Sequence, residues 1–587
     1  MIKEKYPSCV IVFGGWQPPM SDRSQNFFKD HSYVDIIAHG EGEITFEDIL
    51  LENLKEEPQW KDVSGCSLPM RLVPQNERST HRVVKAGLKL VDTKIVDNVD
   101  ILDTYVSPPR QRIENLSSMP SPYLNGLFDE LAKTCPYELE ATIETTRGCP
   151  YRCTYCEINT LYYQKIKTHK LEKIYKEIDW ISDNKVIFVY NADSNFGMLP
   201  EHLDITKYMV KKKKESGYPD KHRCDWAKNK ADKVLELAKI FYETEMDKGI
   251  TIAVQSMNPD TLKAIKRKNV DNGKLREFLQ LYNQEDLPSY MELILGLPEE
   301  TLGSFVDGIC QILDLEQHNY IGIYPLTALP NTPFGEPEYI NKYGLKVIET
   351  FTAFNHFDVS EQNEYEREHM VVASNTMTHE EYKECHIWRW IFMFGHYLGT
   401  LQFISRFLNK NYGISYRDFY GNLYDFMMKN PDTFLGKEMK KTRESVDNVM
   451  SAVAPWGRVV DEVRPNFAWD FEEATVITSM KNKEKFYNEV AQHIQTCYSI
   501  NNELLKNLIK YQDFSILDPS RVYPIKESFD YNIHDVIYNG EELKNDTQEI
   551  IFKAKNYNGD YFEWGKEILW WGRRVASCKT KTEVIGV

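Results

Sequence analysis

Residues 144–157, Glu144-Thr-Thr-Arg-Gly-Cys-Pro-Tyr-Arg-Cys-Thr-Tyr-Cys-Glu157, decide how this chain is read. They place Cys149, Cys153 and Cys156 at the spacing C-x3-C-x2-C. Thiolates are soft ligands, and clustered thiolates select zinc, copper(I) or iron–sulfur centres. Structural zinc takes four ligands, usually as two separated pairs. Ferredoxin-type clusters also take four cysteines. Three cysteines with no fourth at a fitting offset suit neither. A cubane held by three thiolates leaves one iron without a protein ligand, open to a small molecule. With 11 cysteines in 587 residues, this spacing arises by chance only about 0.004 times per chain, so unrelated core thiols are a poor explanation.

The stretch resembles the signature of radical S-adenosylmethionine (SAM) enzymes, C-x3-C-x-(aromatic)-C, with Tyr155 at the aromatic position. The resemblance implies a [4Fe-4S] cluster on Cys149, Cys153 and Cys156. Its open iron would chelate the amino and carboxylate groups of SAM, and reduction would cleave SAM to a 5′-deoxyadenosyl radical. The flanks agree with this reading. Residues 141–146 form a β-branched, strand-like run, and Gly148 and Pro150 then bend the loop.

Composition sets the outer limits. The length suggests two to four domains. A hydrophobic fraction of 42% with 27% charged residues is that of a globular protein with sizeable cores. The net charge is −17, and the only run of four lysines, Lys211 to Lys214, reads as a solvated helix face. Bulk nucleic-acid binding is therefore not expected. No apolar stretch approaches the roughly 20 residues that span a bilayer, and no signal peptide is read at the N-terminus. Clustered thiols imply a reducing compartment, so a cytoplasmic location is expected.

Residues 8–15 read as a buried strand ending in Gly14-Gly15, followed by a short helix around Arg23 to Asp30. Val34 to Glu43 read as a second strand running into a Gly-Glu-Gly-Glu loop, with a helix over about Thr45 to Leu54. This βαβα text resembles the last third of the Rossmann-like cobalamin (B12)-binding domain that precedes the cluster domain in many radical SAM proteins. The resemblance makes cobalamin a further candidate cofactor, with Gly14 and Gly15 near it. The glycines also suit a tight βα turn, and the acidic residues suit a helix N-terminus. The family's cobalt-ligating Asp-x-His-x-x-Gly has no counterpart here, which decides little because some relatives bind cobalamin without the histidine. With Gly14-Gly15 so early in the sequence the domain's first strands are missing too, so the segment is read as truncated, with weak or no cobalamin binding expected. Two strands cannot form a doubly wound sheet alone. The segment is expected to dock on the cluster domain or on the C-terminal helices, with a ragged strand edge.

The expected layout is α/β. Residues 1–60 form the partial B12-binding-like segment, and 61–137 a linker and mixed region with a short strand at Arg82 to Lys85. Residues 138–340 form a partial (β/α)6 radical SAM barrel, and 345–587 a mainly α-helical C-terminal domain. Within the barrel, Thr168 is a plausible N-cap for a helix carrying Leu171, Ile174, Ile178 and Ile181. Strands are read at Lys185–Tyr190, Gly249–Val254, Tyr290–Leu295 and Tyr320–Tyr324, with a helix over about 229–243. Ligands of such barrels sit at the C-terminal strand ends. The resemblance places SAM contacts there. Asp193 would meet the amino group, and Gln255 and Ser256 the ribose or carboxylate. Ile294, Gly296 and Glu299, from the family pattern x-x-Ile-x-Gly-x-x-Glu, would support the adenine, with Ile323 to Leu326 opposite. Leu329 to Pro333 would close the barrel. Residues 386–397, rich in large apolar side chains, read as an amphipathic or buried core helix, with a substrate-pocket wall as the sharper reading.

The function expected from the resemblance is reductive SAM cleavage in a B12-type methyltransferase lineage, acting on an unactivated carbon or phosphorus. The partners would be a small-molecule or natural-product substrate and a reductant such as flavodoxin or ferredoxin. The alternatives are a B12-independent radical SAM oxidoreductase or rearrangement enzyme and, in another class, a non-catalytic iron–sulfur electron-transfer protein.

Overall fold

The computed structural model describes residues 2–15, 18–19, 24–73, 84–85, 89–90, 104–159, 163–228, 231–247, 249–285, 287–352, 356–360, 365–572 and 578–585. The chain divides into two units. One comprises Met1–Asn125, Glu144–Lys173 and Ala328–Lys342, the other Gly126–Ile143, Ile174–Thr327 and Tyr343–Val587.

The larger unit holds six parallel strands in chain order: β1 (Glu140–Ile143), β2 (Phe188–Phe196), β3 (Lys221–Trp226), β4 (Ile250–Gln255), β5 (Ser289–Leu295) and β6 (Tyr320–Pro325). They pair as β3-β2-β1 and β4-β5-β6, with β3 beside β4. Helices Glu201–Ser216, Ala231–Tyr242, Asn272–Gln284 and Leu302–Asp314 make four of the crossovers. Parallel neighbours need such crossovers, and six strands joined this way are the (β/α)6 succession expected.

The strand period of two gives these sheets unlike faces. In β5, Ser289, Met291, Leu293 and Leu295 are buried, and the register sets the last two beside Ile323 and Pro325 of β6. Helices cover this face: His222 of β3 stacks on Phe241 of helix Ala231–Tyr242 at 4.3 Å between ring centroids. On the opposite, inner face Glu292 and Ile294 are half-buried beside Gly322 and Tyr324.

Three local expectations need correction. β3 was not anticipated, because exposed Arg223 and Asp225 alternate with buried His222, Cys224 and Trp226 and disguise a strand as polar text. β2 does not stop at Tyr190 but runs to Phe196 through a register shift against β3, so Asp193 lies within a strand. Thr168 pairs in the strand Lys167–Thr168 rather than capping a helix, and the helix begins at Leu171.

The C-terminal part has many helices, but it is not helical throughout. Antiparallel pairs occur at Lys346–Phe351 with Arg367–Ala373 and at Arg458–Val460 with Arg464–Trp469. A three-stranded sheet joins Ile525–Phe529, Gln548–Lys553 and Lys581–Ile585. The aromatic run is core as expected: helix His379–Ile391 passes into a buried π-helical turn, Phe392–Tyr397. Among the described residues no helix is long and apolar enough to cross a membrane.

In the smaller unit Val12–Phe13 pairs parallel with Ile36–Ala38, as the βαβα reading requires. The sheet is then extended by Cys66–Pro69 and Thr104–Val106, both antiparallel, from the stretch read as linker. These strands supply the apolar neighbours that two strands lack. Ile36, Ala38, Ile49, Val63, Cys66 and Leu68 form one core, and Phe28, Val34 and Ile37 another. Among the described residues Val12–Phe13 forms one edge of this sheet and Thr104–Val106 the other. Of the residues read as a strand at Arg82 to Lys85, Val84–Lys85 pairs with Lys89–Leu90, while Arg82 and Val83 lie outside the described residues.

The two faces of β5 predict unequal costs. Met291→Ala should destabilise by about 2–5 kcal/mol through a buried cavity. Ile294→Ala, half-buried on the inner face, should cost less, about 1 kcal/mol. Unfolding of the two variants in denaturant checks this, and equal losses would refute the assignment of faces.

Candidate functional site

β1 hands the chain directly to Glu144, the first residue of the cysteine loop. The base of the loop is closed by Thr146–Arg147 pairing antiparallel with Lys167–Thr168. Between them Cys149 and Cys153 are buried, while Tyr155 and Cys156 are half-buried. Gly148 adopts φ +116, and a Cβ there would lie 2.6 Å from the Tyr163 carbonyl oxygen and 2.8 Å from that of Lys165. Only glycine fits such a backbone approach. The Cys149 N–H then donates to the Tyr163 carbonyl at 2.9 Å, and the Cys156 N–H to the Cys153 carbonyl at 3.1 Å. Thr154, fully buried, shares a hydrogen bond of 3.1 Å with the Tyr339 hydroxyl. Asn331, in the segment expected to close the barrel, donates its amide to the Pro18 carbonyl at 2.9 Å. That segment therefore also packs within the cysteine-bearing unit.

The donor set of this loop is three thiols, with no histidine and no fourth cysteine among residues 144–157. Soft sulfur donors without a fourth partner fit a cubane that keeps one iron open, and fit a closed zinc site poorly. Beside them burial pushes the Glu157 carboxyl up to about 7, a feature that no sequence signal marked.

A carboxylate–guanidinium network holds the loop. Arg147 donates through Nε to Glu144 Oε1 at 2.9 Å and through Nη2 to Glu144 Oε2 at 2.7 Å and to Glu43 Oε1 at 2.8 Å. Glu41, buried, accepts from the Ile113 N–H at 2.6 Å and from Arg112 Nε at 3.2 Å, and lies 3.7 Å from Arg147 Nη1. Arg112 also donates to the Arg147 carbonyl at 3.3 Å, and Lys167 donates to the Ile113 carbonyl at 2.7 Å. The acids of the Gly-Glu-Gly-Glu run thus do more than face a helix N-terminus. Glu41 is the N-cap residue of helix Gly42–Asn53, yet its side chain makes no capping bond. Burial pushes the Glu144 carboxyl up, but the His169 and Arg147 side chains outweigh it and hold the group below its usual range. Bonds from Glu144 and Glu43 hold the Arg147 guanidinium above its usual value despite burial. Through these bonds the N-terminal segment docks on the cysteine loop, as expected. Gly15 has φ +87 with open space where a Cβ would project, and a Cβ on Gly14 would meet only Ala38, at 3.8 Å. Both suit a turn after the strand.

In the barrel unit the expected SAM contacts scatter. Asp193 is fully buried on the helix side of β2, its Oδ2 3.5 Å from Nε2 of His202 on helix Glu201–Ser216. Its neighbours Ala192 and Ser194 take the open face instead. The strand period decides this. It likewise puts Ile323 on the covered face, 4% exposed, and Tyr324 on the inner face, 42% exposed, beside Ile294. Gln255 ends β4 with φ +66, a conformation rare outside glycine. Ser256 is engaged within the protein: it donates to Glu300 Oε2 at 2.5 Å and accepts from the Asn258 N–H at 3.0 Å. Burial raises the Glu300 carboxyl, against the opposing bonds from Ser256, Ser304 and Asn258. Gly296 has φ +102, and a Cβ there would meet the Val371 carbonyl at 2.9 Å. Glu299 has φ +65 and a half-buried side chain, and its carbonyl accepts from Asn258 Nδ2 at 3.1 Å. The structure thus brings Ser256, Glu299 and Glu300 together around Asn258, and Ile294 beside Tyr324.

Sequence reasoning missed an inner-face pair. The Tyr190 hydroxyl donates to Asp225 Oδ2 at 3.0 Å. Burial, then Asp225, pushes the phenol up to about 12. The buried–exposed alternation of β3 was the signal that could have found Asp225.

A family profile described as the Radical SAM superfamily matches residues 143–308. The chain is 30% identical over 554 residues to "Cobalamin-dependent radical SAM methyltransferase TokK" of Streptomyces tokunonensis, covering 90% of this chain and 76% of that protein. It is 32% identical over 447 residues to "2-(S-pantetheinyl)-carbapenam-3-carboxylate methyltransferase" of Streptantibioticus cattleyicolor, covering 76% of this chain and 61% of that protein. Among solved structures it is similar to OxsB with aqua-cobalamin and S-adenosylmethionine bound, at TM-score 0.43 and 14% identity over 86% of this chain and 70% of that one.

The loop's supports predict two variants. Gly148→Ala should displace the strand base and abolish iron–sulfur absorbance after anaerobic reconstitution. Arg147→Met removes the guanidinium from Glu144 and Glu43 while Glu41 keeps Arg112 and Glu144 keeps His169, which should cost about 1–3 kcal/mol and lower iron content. Iron and sulfide analysis checks both, and wild-type iron loading in Gly148→Ala would refute the packing argument.

Proposed function

The chain belongs to the radical SAM superfamily, and from that membership we propose that it is a cobalamin-dependent methyltransferase acting on an unactivated carbon of a small-molecule, natural-product substrate. The observation that carries the proposal is 30% identity, over 90% of this chain, to a protein of that named activity. It outweighs the expectation of weak cobalamin binding, which rested chiefly on the missing first strands of the B12-binding-like domain and not on the missing motif alone. The methylation of a small molecule named for the second relative supports the substrate class.

When bound, the cluster and the corrin supply reductive SAM cleavage and a methyl carrier. The chain's own residues bind, orient and exclude water. Cys149, Cys153 and Cys156 are the ligands of the cluster, and Arg147, Arg112, Glu41 and Glu144 fix the loop that carries them. Tyr155 keeps the family's aromatic position. Glu292, Ile294, Tyr324, Tyr190 and Asp225, with Gln255 and Glu299 at strand ends, offer an inner face of mixed polarity. Such a face suits an adenosyl group, with an apolar wall for the base and acceptors for hydroxyls. Gly14 and Gly15 remain the proposed residues near the corrin. A low-potential carrier such as flavodoxin or ferredoxin would deliver electrons, and the reducing demand of the cluster favours a cytoplasmic setting.

Anaerobic reconstitution of the full chain with iron, sulfide and hydroxocobalamin, followed by reduction in the presence of SAM, tests the reading. Stoichiometric corrin is expected, with both S-adenosylhomocysteine and 5′-deoxyadenosine formed. Cys153→Ala should lose the cluster and deoxyadenosine formation, whereas Cys310→Ala should retain both. Deoxyadenosine without S-adenosylhomocysteine would instead make this a corrin-independent radical enzyme. A cluster without either product would leave an electron carrier, and an intact cluster in Cys153→Ala would overturn the ligand assignment.

A further inference from the structure

On the covered face of the barrel, away from the inner face, a second set of metal-ligating side chains converges. His222 and Cys224 lie two residues apart on β3 and therefore share a face. Asp247 arrives from the turn after helix Ala231–Tyr242, held there by the His222 N–H, which donates to the Met246 carbonyl at 2.7 Å. One ligand atom from each of the three residues lies within 4.8 Å of the others.

The second observation is an unmet hydrogen-bonding demand. His222 is 3% exposed, and neither ring nitrogen has a partner among the described residues. The ring stacks on Phe241 at 4.3 Å and lies 5.8 Å from Phe196, so apolar surfaces flank it. Buried polar groups are nearly always paired, and one that is not needs a reason such as a bound ion. Asn191, paired in register with Cys224, carries a buried amide nitrogen that likewise has no partner among the described residues. With no cation beside them, burial keeps the His222 imidazole down at about 3 and pushes the Cys224 thiol well above its ordinary value, with Asp247, Asp225 and Asp193 adding to the push. A divalent cation reverses that balance. It takes the imidazole lone pair, deprotonates the thiol and neutralises thiolate plus carboxylate, leaving a neutral centre in an apolar setting.

We propose that His222, Cys224 and Asp247 bind a zinc ion, distinct from the cluster of the cysteine loop, that ties β3 to the turn leading into β4. One nitrogen, one sulfur and one oxygen donor suit the borderline-soft Zn2+, with water completing the tetrahedron. The centre is structural: it joins two segments beneath the helix layer and touches none of the inner-face residues. Binding forms the four metal–ligand bonds and releases the thiol proton to solvent, the fourth ligand staying a neutral water, and no electron moves.

Metal analysis of the full chain, purified anaerobically with zinc present and then dialysed, tests the site. One zinc per chain is expected in the wild type and in the triple variant Cys149→Ala, Cys153→Ala, Cys156→Ala, which removes the cluster ligands. Cys224→Ser and His222→Gln should lower zinc affinity by at least about tenfold. Asp247→Asn, on the half-exposed ligand, tests the same loss with little demand on folding. Loaded with Co2+, the wild-type chain should show a sulfur-to-cobalt charge-transfer band that Cys224→Ser lacks. A wild-type chain without stoichiometric zinc would overturn the proposal. So would zinc that survives both Cys224→Ser and Asp247→Asn, or zinc that disappears with the cluster cysteines.

Discussion

The bidentate ion pair between Arg147 and Glu144 is the interaction on which the cysteine loop depends. Arg147 stands two residues before Cys149, so the direction in which the loop leaves β1 is set where its charge is satisfied. A guanidinium offers five donors in a rigid fork, and this one spends them on Glu144 and Glu43, with Glu41 close by. Such a buried network adds little net stability compared with an apolar equivalent, but it is costly to leave half-made. It ties three segments together: the loop through Arg147 and Glu144, the N-terminal helix through Glu41 and Glu43, and the segment around Arg112.

That network also explains why an N-terminal segment with only two parallel strands is not a loose appendage. Glu41 and Glu43 begin helix Gly42–Asn53, where negative charge is favoured, yet their side chains reach outward to Arg112 and Arg147. The strands Cys66–Pro69 and Thr104–Val106 complete the sheet from the other side. The segment is thereby fixed twice, by apolar packing and by charge, and the second contact lands on the loop that carries the cysteines.

The barrel separates its tasks by face. Apolar side chains on the covered face, such as Met291, Leu293 and Ile321, provide cohesion. Polar side chains such as Glu292, Tyr190 and Asp225 lie on the inner face instead, the last two hydrogen-bonded to each other. The strained backbone at Gln255 ends β4, and that at Glu299 lies in the turn after β5, on the side of the barrel where ligands bind. Strain of this kind persists only where neighbours enforce it, and Asn258, bonded to Glu299 and near Glu300, is such a neighbour.

The three cysteines of the loop were legible before any folding was known, because C-x3-C-x2-C is local and its chemistry follows from the residue types alone. So were the parallel strands β4, β5 and β6, which are dominated by apolar and β-branched residues despite Thr251 and Glu292. β3 stayed hidden, since charged residues alternate along it, and so did the sheet partners Cys66–Pro69 and Thr104–Val106, which lie far along the chain from the strands they join. Asp193 and Ile323 were named, but the side chain one residue away takes the inner face in each case, since a strand's register decides which neighbour points where. The meeting of Glu41 with Arg147, and of His222 with Asp247, exists only in three dimensions. Ligand identity is written in local spacing. Facing, pairing and the neutralisation of buried charge depend on contacts between distant segments, and only folding supplies those.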